Sequence, residues 1–191
     1  MDKTQNSSDG EFVRSVIPGQ IAAVTGRIKK AEVDALVEAI LAAETIFIAG
    51  AGRSLLMLSA FAMRLVHLGL RAFVVGETST PAIGADDLLI AGSGSAVTRT
   101  TLAMVEAAHE RGARVCTITA NPDGPIPQAS DFVVEIPWPL TKISNGELMP
   151  QPPGSLFEQC MLVLGEHIIM RLMDELGTTP QEMRARHSKL E

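Results

Sequence analysis

The stretch IFIAGAGRSLLMLSAF, residues 46–61, decides the fold. A short apolar run ends in Gly50 and Gly52, and an apolar-rich helical pattern follows at once. This order is typical of a buried strand that enters a helix through a tight turn. Because the start of a helix presents free backbone N–H groups, such turns often bind phosphate. The stretch therefore predicts an α/β protein with an anion site after its first strand.

Further apolar runs alternate with helical segments along the chain. Most of these runs are apolar on both faces, which is typical of a parallel sheet that helices cover on both sides. We therefore expect a three-layer doubly wound α/β domain with a five-stranded parallel sheet and additional N- and C-terminal helices. The expected strands are 45–50, 71–76, 87–92, 113–120 and 131–137, and the segment 121–130 between the last two is expected to be a loop.

The 191 residues suit a single domain with a full core. The two terminal helical regions exceed what five strands require, so apolar side chains such as Leu162, Ile168, Ile169 and Leu172 are expected to need a partner subunit. We expect the N-terminal helices to be interrupted at Pro18-Gly19. The expected parts are a flexible arm (1–11), N-terminal helices (12–44), the sheet core (45–137), a long loop (138–153) and C-terminal helices with a tail (154–191).

Composition excludes several classes of function. The net charge of −6 and the aromatic content of 4% argue against a nucleic-acid partner. No apolar run approaches the ~20 residues of a membrane span, and the polar N-terminal residues predict no secretory signal. The spacing of Cys116 and Cys160 is not that of a metal site. We expect a cytoplasmic protein with two reduced, buried thiols and no membrane partner.

A second polar loop, GSGSAVT (92–98), follows the third strand and begins a helix. If the first and third strands are neighbours, Ser54 faces this loop across the crevice where ligands of open α/β sheets bind. Hydroxyl groups of Ser93, Ser95 and Thr98 would then converge with Ser54 on one anion. The alternative is that Ser54 and Thr98 only cap their helices.

A dinucleotide site is a second alternative for the first turn. The dinucleotide fingerprint G-x-G-x-x-G needs a third glycine, and Leu55 stands at that position. Glu77 follows the second strand, where an acidic residue could bind ribose. The partial fingerprint makes nicotinamide binding the weaker hypothesis.

Several motifs together resemble the 6-phospho-3-hexuloisomerase family, which belongs to the sugar isomerase (SIS) superfamily. The resemblance runs from about residue 30 to the end of the chain, and the serine loop by itself indicates only a phosphosugar. The motifs are GAGRS (50–54), AMRLVHLGL (62–70), VGETSTPAI (75–83), DLLIAGSGSAVT (87–98), TANPDGPI (119–126), GSLFEQ (154–159) and RARHSKLE (184–191).

The resemblance implies an SIS-like fold with strands in flavodoxin-like order. It also implies an enzymatic activity. This activity is the interconversion of 3-hexulose 6-phosphate and fructose 6-phosphate in the ribulose monophosphate route of formaldehyde fixation, by a homotetramer. A 2,3-enediol reaction demands no metal or redox cofactor. The implied catalytic base is Glu158. The implied sugar phosphate site comprises Ser54, Ser93, Gly94, Ser95, Ala96, Val97 and Thr98.

Three residues keep alternative interpretations. Glu158 also completes an S-x-x-E capping box with Ser155. Arg53 could pair with the phosphate, or could face solvent or a carboxylate at an interface. His187 lies in a tail that is similar to a lid from a neighbouring subunit, where it would handle the oxygen protons, although a solvated tail is the plainer interpretation.

The chain departs from the family pattern at Leu55 and Ala96, where the family usually has glycine. Other functions on the same scaffold also stay open. They are an arabinose or sedoheptulose phosphate isomerase and a non-catalytic sugar phosphate sensor. No basic recognition helix in residues 1–44 supports a sensor that binds DNA.

Overall fold

The computed structural model describes residues 10, 12–137 and 151–189. The expected arm (1–11) and loop (138–153) therefore lie largely outside the described residues. A π-helical segment, Phe12–Val16, precedes the regular elements. These are α1 (Ile17–Thr25), α2 (Lys30–Ala42), β1 (Ile46–Gly50), α3 (Gly52–Leu68), β2 (Ala72–Val74), β3 (Leu88–Gly92), α4 (Arg99–Glu110), β4 (Arg114–Thr119), α5 (Pro125–Gln128), β5 (Phe132–Glu135), α6 (Ser155–Leu176) and α7 (Pro180–Ala185).

The five strands form one parallel sheet in the order β2-β1-β3-β4-β5. This confirms the expected parallel sheet and its flavodoxin-like order. The strand β1 lies beside β3, and their last residues, Gly50 and Gly92, are register partners. The chain leaves β1 toward one edge of the sheet and β3 toward the other. A crevice therefore opens between the carboxyl ends of these two strands.

Side chains of the central strands alternate between two cores. Ile46 and Ile48 of β1 belong to the larger apolar cluster, which also includes buried residues of α2, α3 and α6. Phe47 and Ala49 belong to a smaller cluster that includes residues of α4. Every residue of β1 and β3 is buried, as a sheet covered on both faces requires. The three-layer α/β prediction is therefore confirmed.

Two expectations about helices are wrong. The N-terminal region is not interrupted at Pro18-Gly19, because Pro18 lies in the first turn of α1. A proline is tolerated there since the amide it lacks would have no partner within the helix. The interruption comes instead at Gly26, the C-cap of α1. A short helix, α5, also lies in the segment 121–130, which was expected to be a loop.

The apolar face of α6 is mostly covered by the chain itself. Ile168, Ile169 and Leu172 are buried in the larger cluster, so the expectation that they need a partner subunit is wrong. Only Leu162 of that group remains exposed. Along the described residues, no helix is long and apolar enough to cross a membrane.

A capping box marks the start of α7. Thr179 caps the helix, and Pro180 lies in its first turn. The side chain of Thr179 accepts a hydrogen bond from the Glu182 amide, and the Glu182 carboxylate accepts one from the Thr179 amide. This reciprocal pair fixes where the tail turns back toward the body of the protein.

The tail docks against the C-terminal end of α3. Met183 is buried, and Arg186 Nη1 donates a hydrogen bond to the His67 carbonyl at 3.1 Å. The ring of His187 stacks on the ring of His67, with 3.9 Å between the ring centroids. His67 is only 4% exposed, and its Nδ1 has no hydrogen-bond partner among the described residues. The tail therefore rests on a buried, neutral histidine.

We expect His67 to make the fold less stable in mild acid. Burial lowers the pKa of His67 below its ordinary value of 6.5, and the charges of His187 and Arg64 lower this pKa further. As pH falls below about 6.5, the unfolded chain binds a proton that the folded chain resists, so the free energy of unfolding decreases. Denaturant unfolding between pH 8 and pH 5.5 measures this slope.

The variant His67→Gln is expected to show a shallower slope than the wild type over this range. His167→Gln, at an exposed position of α6, is the matched control and should keep the wild-type slope. Parallel profiles of stability against pH for the wild type and His67→Gln would contradict the conclusion that His67 makes the fold less stable in acid.

Candidate active site

The crevice between β1 and β3 is where α3 and α4 begin. Ala51 is the N-cap of α3 and Thr98 is the N-cap of α4, and neither helix has a side-chain cap hydrogen bond. Ser54 is therefore not a helix cap, and Thr98 occupies the N-cap position of α4 without a hydrogen bond from its side chain to the helix. The first-turn N–H groups of both helices remain available for an anion, and each helix dipole favours negative charge there.

The serine loop, residues 93–98, is held by its own side chains. The Ser93 hydroxyl accepts a hydrogen bond from the Ala96 amide at 3.2 Å and lies 3.2 Å from the Thr98 hydroxyl. Ser93 is buried, whereas Ser95 and Val97 are exposed. Ser93 thus shapes the loop, whereas the exposed Ser95 side chain takes no part in holding it within the described part of the chain.

Two residues at the end of β4 hold this loop, and sequence reasoning missed both. The Thr119 hydroxyl donates to the Ser93 carbonyl at 2.7 Å. The Asn121 side chain donates from Nδ2 to the Ser95 carbonyl at 3.1 Å. Both residues belong to the motif TANPDGPI (119–126), and the resemblance to the family implies no role for either polar side chain. Only the pairing of β3 with β4 places them under the loop.

Glycines allow the helices to approach the strand ends closely. A Cβ atom on Gly92 would lie 2.5 Å from Leu58 of α3. A Cβ atom on Gly94 would lie 3.0 Å from the ring of Phe157 in α6. The contact between Gly94 and Phe157 brings the first turn of α6 against the serine loop. Glu158, the next residue, is thereby placed beside the crevice.

Close packing at a glycine also explains why the chain tolerates Leu55 where the family usually has glycine. A Cβ atom on Gly50 would lie 3.4 Å from the Leu55 backbone and 3.2 Å from the Gly92 carbonyl. Gly50 therefore provides the close contact between helix and strand that the third glycine supplies in a dinucleotide fingerprint. The Leu55 side chain packs against the larger core instead.

Glu158 is nearly buried, at 8% exposure, and its carboxylate is not a helix cap. The N-cap of α6 is Gly154, with no side-chain cap hydrogen bond, so the capping-box interpretation with Ser155 is wrong. Arg53 Nε donates to Glu158 Oε2. Of the alternatives for Arg53, the structure therefore shows a carboxylate partner, and that carboxylate lies within the same chain. Glu158 Oε1 has no hydrogen-bond partner among the described residues.

The thiol nearest in sequence to Glu158 takes no part in this chemistry. Cys160 is free and fully buried, and burial raises the pKa of its thiol to about 12. The thiol therefore stays protonated at neutral pH and is a poor nucleophile. Cys116 is also free and buried, as expected.

His187 lies away from this crevice within one chain. It stacks on His67, at the C-terminal end of α3, whereas Ser54 lies in the first turn of α3. Thirteen residues of helical rise separate Ser54 from His67 (about 20 Å). The structure does not bring His187 and Glu158 together in one subunit.

Ala96 shows how the loop accommodates its departure from the family pattern. Its φ of 61° lies in the left-handed region, so the loop keeps the backbone shape that glycine would adopt. This conformation costs about 1 kcal/mol or more for alanine. The Ala96 methyl is fully buried, which contributes roughly 0.8 kcal/mol in return. The two effects nearly cancel, because Gly124 leaves room for the methyl group.

Comparison with known proteins identifies the class of this site. A family model described as the SIS domain matches residues 39–146. The chain therefore belongs to the SIS domain family.

Within the SIS domain family, the chain is similar to particular proteins. The chain is 38% identical to a 3-hexulose-6-phosphate isomerase of Mycobacterium gastri over 177 residues, which cover 93% of this chain and 89% of that protein. It is 39% identical to a 3-hexulose-6-phosphate isomerase of Bacillus subtilis over 165 residues, covering 86% and 89%. A crystal structure from Methanococcus jannaschii, for which a molecular function of 3-hexulose-6-phosphate isomerase was inferred, aligns with a TM-score of 0.81. That alignment has 30% identity and covers 92% of this chain and 97% of that one.

We expect Gly124→Ala to destabilise the serine loop. The added Cβ atom would lie 2.4 Å from the Ala96 methyl, which overpacking makes unfavourable by about 1–3 kcal/mol. The double variant Ala96→Gly/Gly124→Ala should recover part of this loss, because the clashing methyl is gone. Denaturant unfolding of the wild type, Ala96→Gly, Gly124→Ala and the double variant measures the coupling between positions 96 and 124. Additive changes in the free energy of unfolding would contradict a contact between the two methyl groups.

Proposed function

We propose that this protein interconverts D-arabino-hex-3-ulose 6-phosphate and D-fructose 6-phosphate through a 2,3-enediol. The observation that carries the proposal is the position of Glu158. This carboxylate lies in the first turn of α6 and pairs with Arg53 in the first turn of α3, while the neighbouring Phe157 contacts Gly94 of the serine loop. The relatives named 3-hexulose-6-phosphate isomerase, at 38% and 39% identity, support the same reaction. The ribulose monophosphate route of formaldehyde fixation is the proposed setting.

The phosphate is proposed to bind where α3 and α4 begin. First-turn N–H groups of both helices donate to its oxygens, and the hydroxyls of Ser54, Ser95 and Thr98 add further hydrogen bonds. These groups bind a phosphate dianion although the whole chain carries a net charge of −6, because the helix starts are local and positive. Binding at this end of the sheet sets the sugar carbons toward α6.

Glu158 is proposed to act as the single base for both carbons. It removes the proton from C2 of the 3-ketose, the C2–C3 double bond forms, and the C3 oxygen takes up a proton to give the enediol. The O2 proton then leaves, C2 becomes the ketone, and Glu158 returns its proton to C3. Because C2 and C3 are adjacent in a planar enediol, one carboxylate reaches both.

A homotetramer with shared sites is proposed to supply the group that moves the oxygen protons. Apolar side chains remain exposed along the outer faces of α3 and α6 and suit an interface between copies. Pairing of α3 helices in opposite directions would carry the His187 end of one subunit toward the Glu158 end of the next. The exposed side chains are Leu56, Met63, Val66, Leu162 and Met170.

Turnover of fructose 6-phosphate tests the proposed reaction directly. The wild-type chain is expected to form the 3-ketose, and Glu158→Gln should lower turnover by about 100-fold or more, since amides do not accept carbon-bound protons. The variant should still bind fructose 6-phosphate. The measurements are product analysis by NMR and calorimetric binding.

Residual turnover within about tenfold of the wild type would remove Glu158 from the role of base. Arabinose 5-phosphate and sedoheptulose 7-phosphate serve as competing substrates. Faster turnover of either one would replace the proposed substrate, and binding without turnover of any of them would indicate a sensor.

Coexpression of two inactive variants tests whether His187 acts on a neighbouring subunit. Glu158→Gln and His187→Ala, mixed equally in one oligomer, should recover about a quarter of wild-type activity, because that fraction of shared sites is intact. Each variant by itself should be far less active. Recovery no greater than the sum of the separate variants would show that the two residues do not share a site between subunits.

A further inference from the structure

The ion pair between Arg53 and Glu158 joins α3 to α6 at the crevice. Arg53 uses Nε for this contact, and its side chain is 63% exposed, whereas the Glu158 side chain is 11% exposed. Within the described residues, the two terminal amino groups of the Arg53 guanidinium donate no hydrogen bond. The guanidinium thus holds a nearly buried carboxylate with one nitrogen and presents the others to solvent.

This contact leaves Glu158 poorly disposed to act as a base. The lone pair of Oε2 that faces Arg53 is unavailable to a carbon-bound proton, and only Oε1 has no hydrogen-bond partner among the described residues. An active base must instead face C2 and C3 of the sugar. A working arrangement would therefore require another partner for Arg53.

A bound phosphate is a competing partner for Arg53. Arg53 lies beside Ser54 in the first turn of α3. The free N–H groups of this helix start are the groups proposed to bind the phosphate. Guanidinium groups bind phosphate oxygens through two parallel hydrogen bonds, and a dianion attracts the guanidinium more strongly than one carboxylate does. A monophosphate at this helix start would therefore draw Arg53 away from Glu158.

We propose that Arg53 is a positioning residue that exchanges Glu158 for the phosphate of the substrate. In the free protein it holds the carboxylate, and when the phosphate binds, it releases the carboxylate toward the sugar carbons. The exchange would make the base available only when a phosphorylated ligand is present, so part of the phosphate binding energy goes into preparing the base. This inference rests on the proposed function for the role of Glu158 as the base.

Inorganic phosphate tests the exchange without any turnover. Calorimetry measures its dissociation constant for the wild type, Glu158→Gln, Arg53→Gln and the double variant. Glu158→Gln should bind phosphate about 3–10-fold more tightly than the wild type, because the competing carboxylate is gone. With Arg53→Gln already present, the same substitution should change the dissociation constant by less than about twofold.

Two outcomes of the calorimetry on these four proteins would overturn the exchange. Equal tightening with and without Arg53 would show simple repulsion between Glu158 and phosphate. Unchanged or weaker binding by Glu158→Gln would show that Arg53 serves both partners at once. A phosphate complex of the wild type provides a second measurement if the double variant does not fold. A retained contact between Arg53 and Glu158 in that complex would also overturn the exchange.

The matched control is the second Arg–Glu pair between the same two helices. Arg64 Nε lies 3.5 Å from Glu166 Oε1, farther along α3 and α6. Glu166→Gln removes the same charge and should leave phosphate affinity unchanged, and an equal gain there would overturn the role of Arg53.

The isomerase assay of the wild type separates this inference from the proposed function. A chain that isomerises fructose 6-phosphate but shows no coupling between Arg53 and Glu158 would contradict the exchange alone. A chain that shows the coupling but isomerises none of the sugar phosphates would contradict the proposed function alone.

Discussion

The parallel pairing of β1 with β3, which makes Gly50 and Gly92 register partners, is the constraint on which the site depends. Both strands end at the same level, so the two turns that follow emerge side by side. Each turn begins a helix without a side-chain cap, and the free N–H groups of both helices therefore face one crevice. A different strand order would separate these turns and leave two unrelated helix starts.

Close packing adds the reactive group to this anion site. Glycines at the strand ends leave no side chain between the sheet and the helices above it, and Gly94 accepts the ring of Phe157 directly. The first turn of α6 is thereby pressed onto the serine loop, which puts Glu158 at the crevice rather than in solvent. The binding loop and the carboxylate thus share one packed contact, so a change in the loop backbone would also move the base.

Electrostatics at the crevice is local and differs from that of the whole chain. The protein has a net charge of −6, yet two helix starts and the Arg53 guanidinium gather positive charge at one point. The Glu158 carboxylate partly neutralises this charge. A bound sugar phosphate and the carboxylate therefore depend on the same cation, which couples binding to the state of the base.

The sequence by itself determined the layered architecture and the two phosphate-binding turns, because short-range patterns of apolar residues, glycines and hydroxyls specify strands, helices and turns. It also pointed to Glu158 through a local motif. Only the tertiary structure decided between capping and ion pairing for Glu158, because Arg53 lies 105 residues away in the chain. The anchoring of the loop by Thr119 and Asn121, and the distance of His187 from the crevice within one chain, likewise follow from strand order and helix packing, which no local pattern contains.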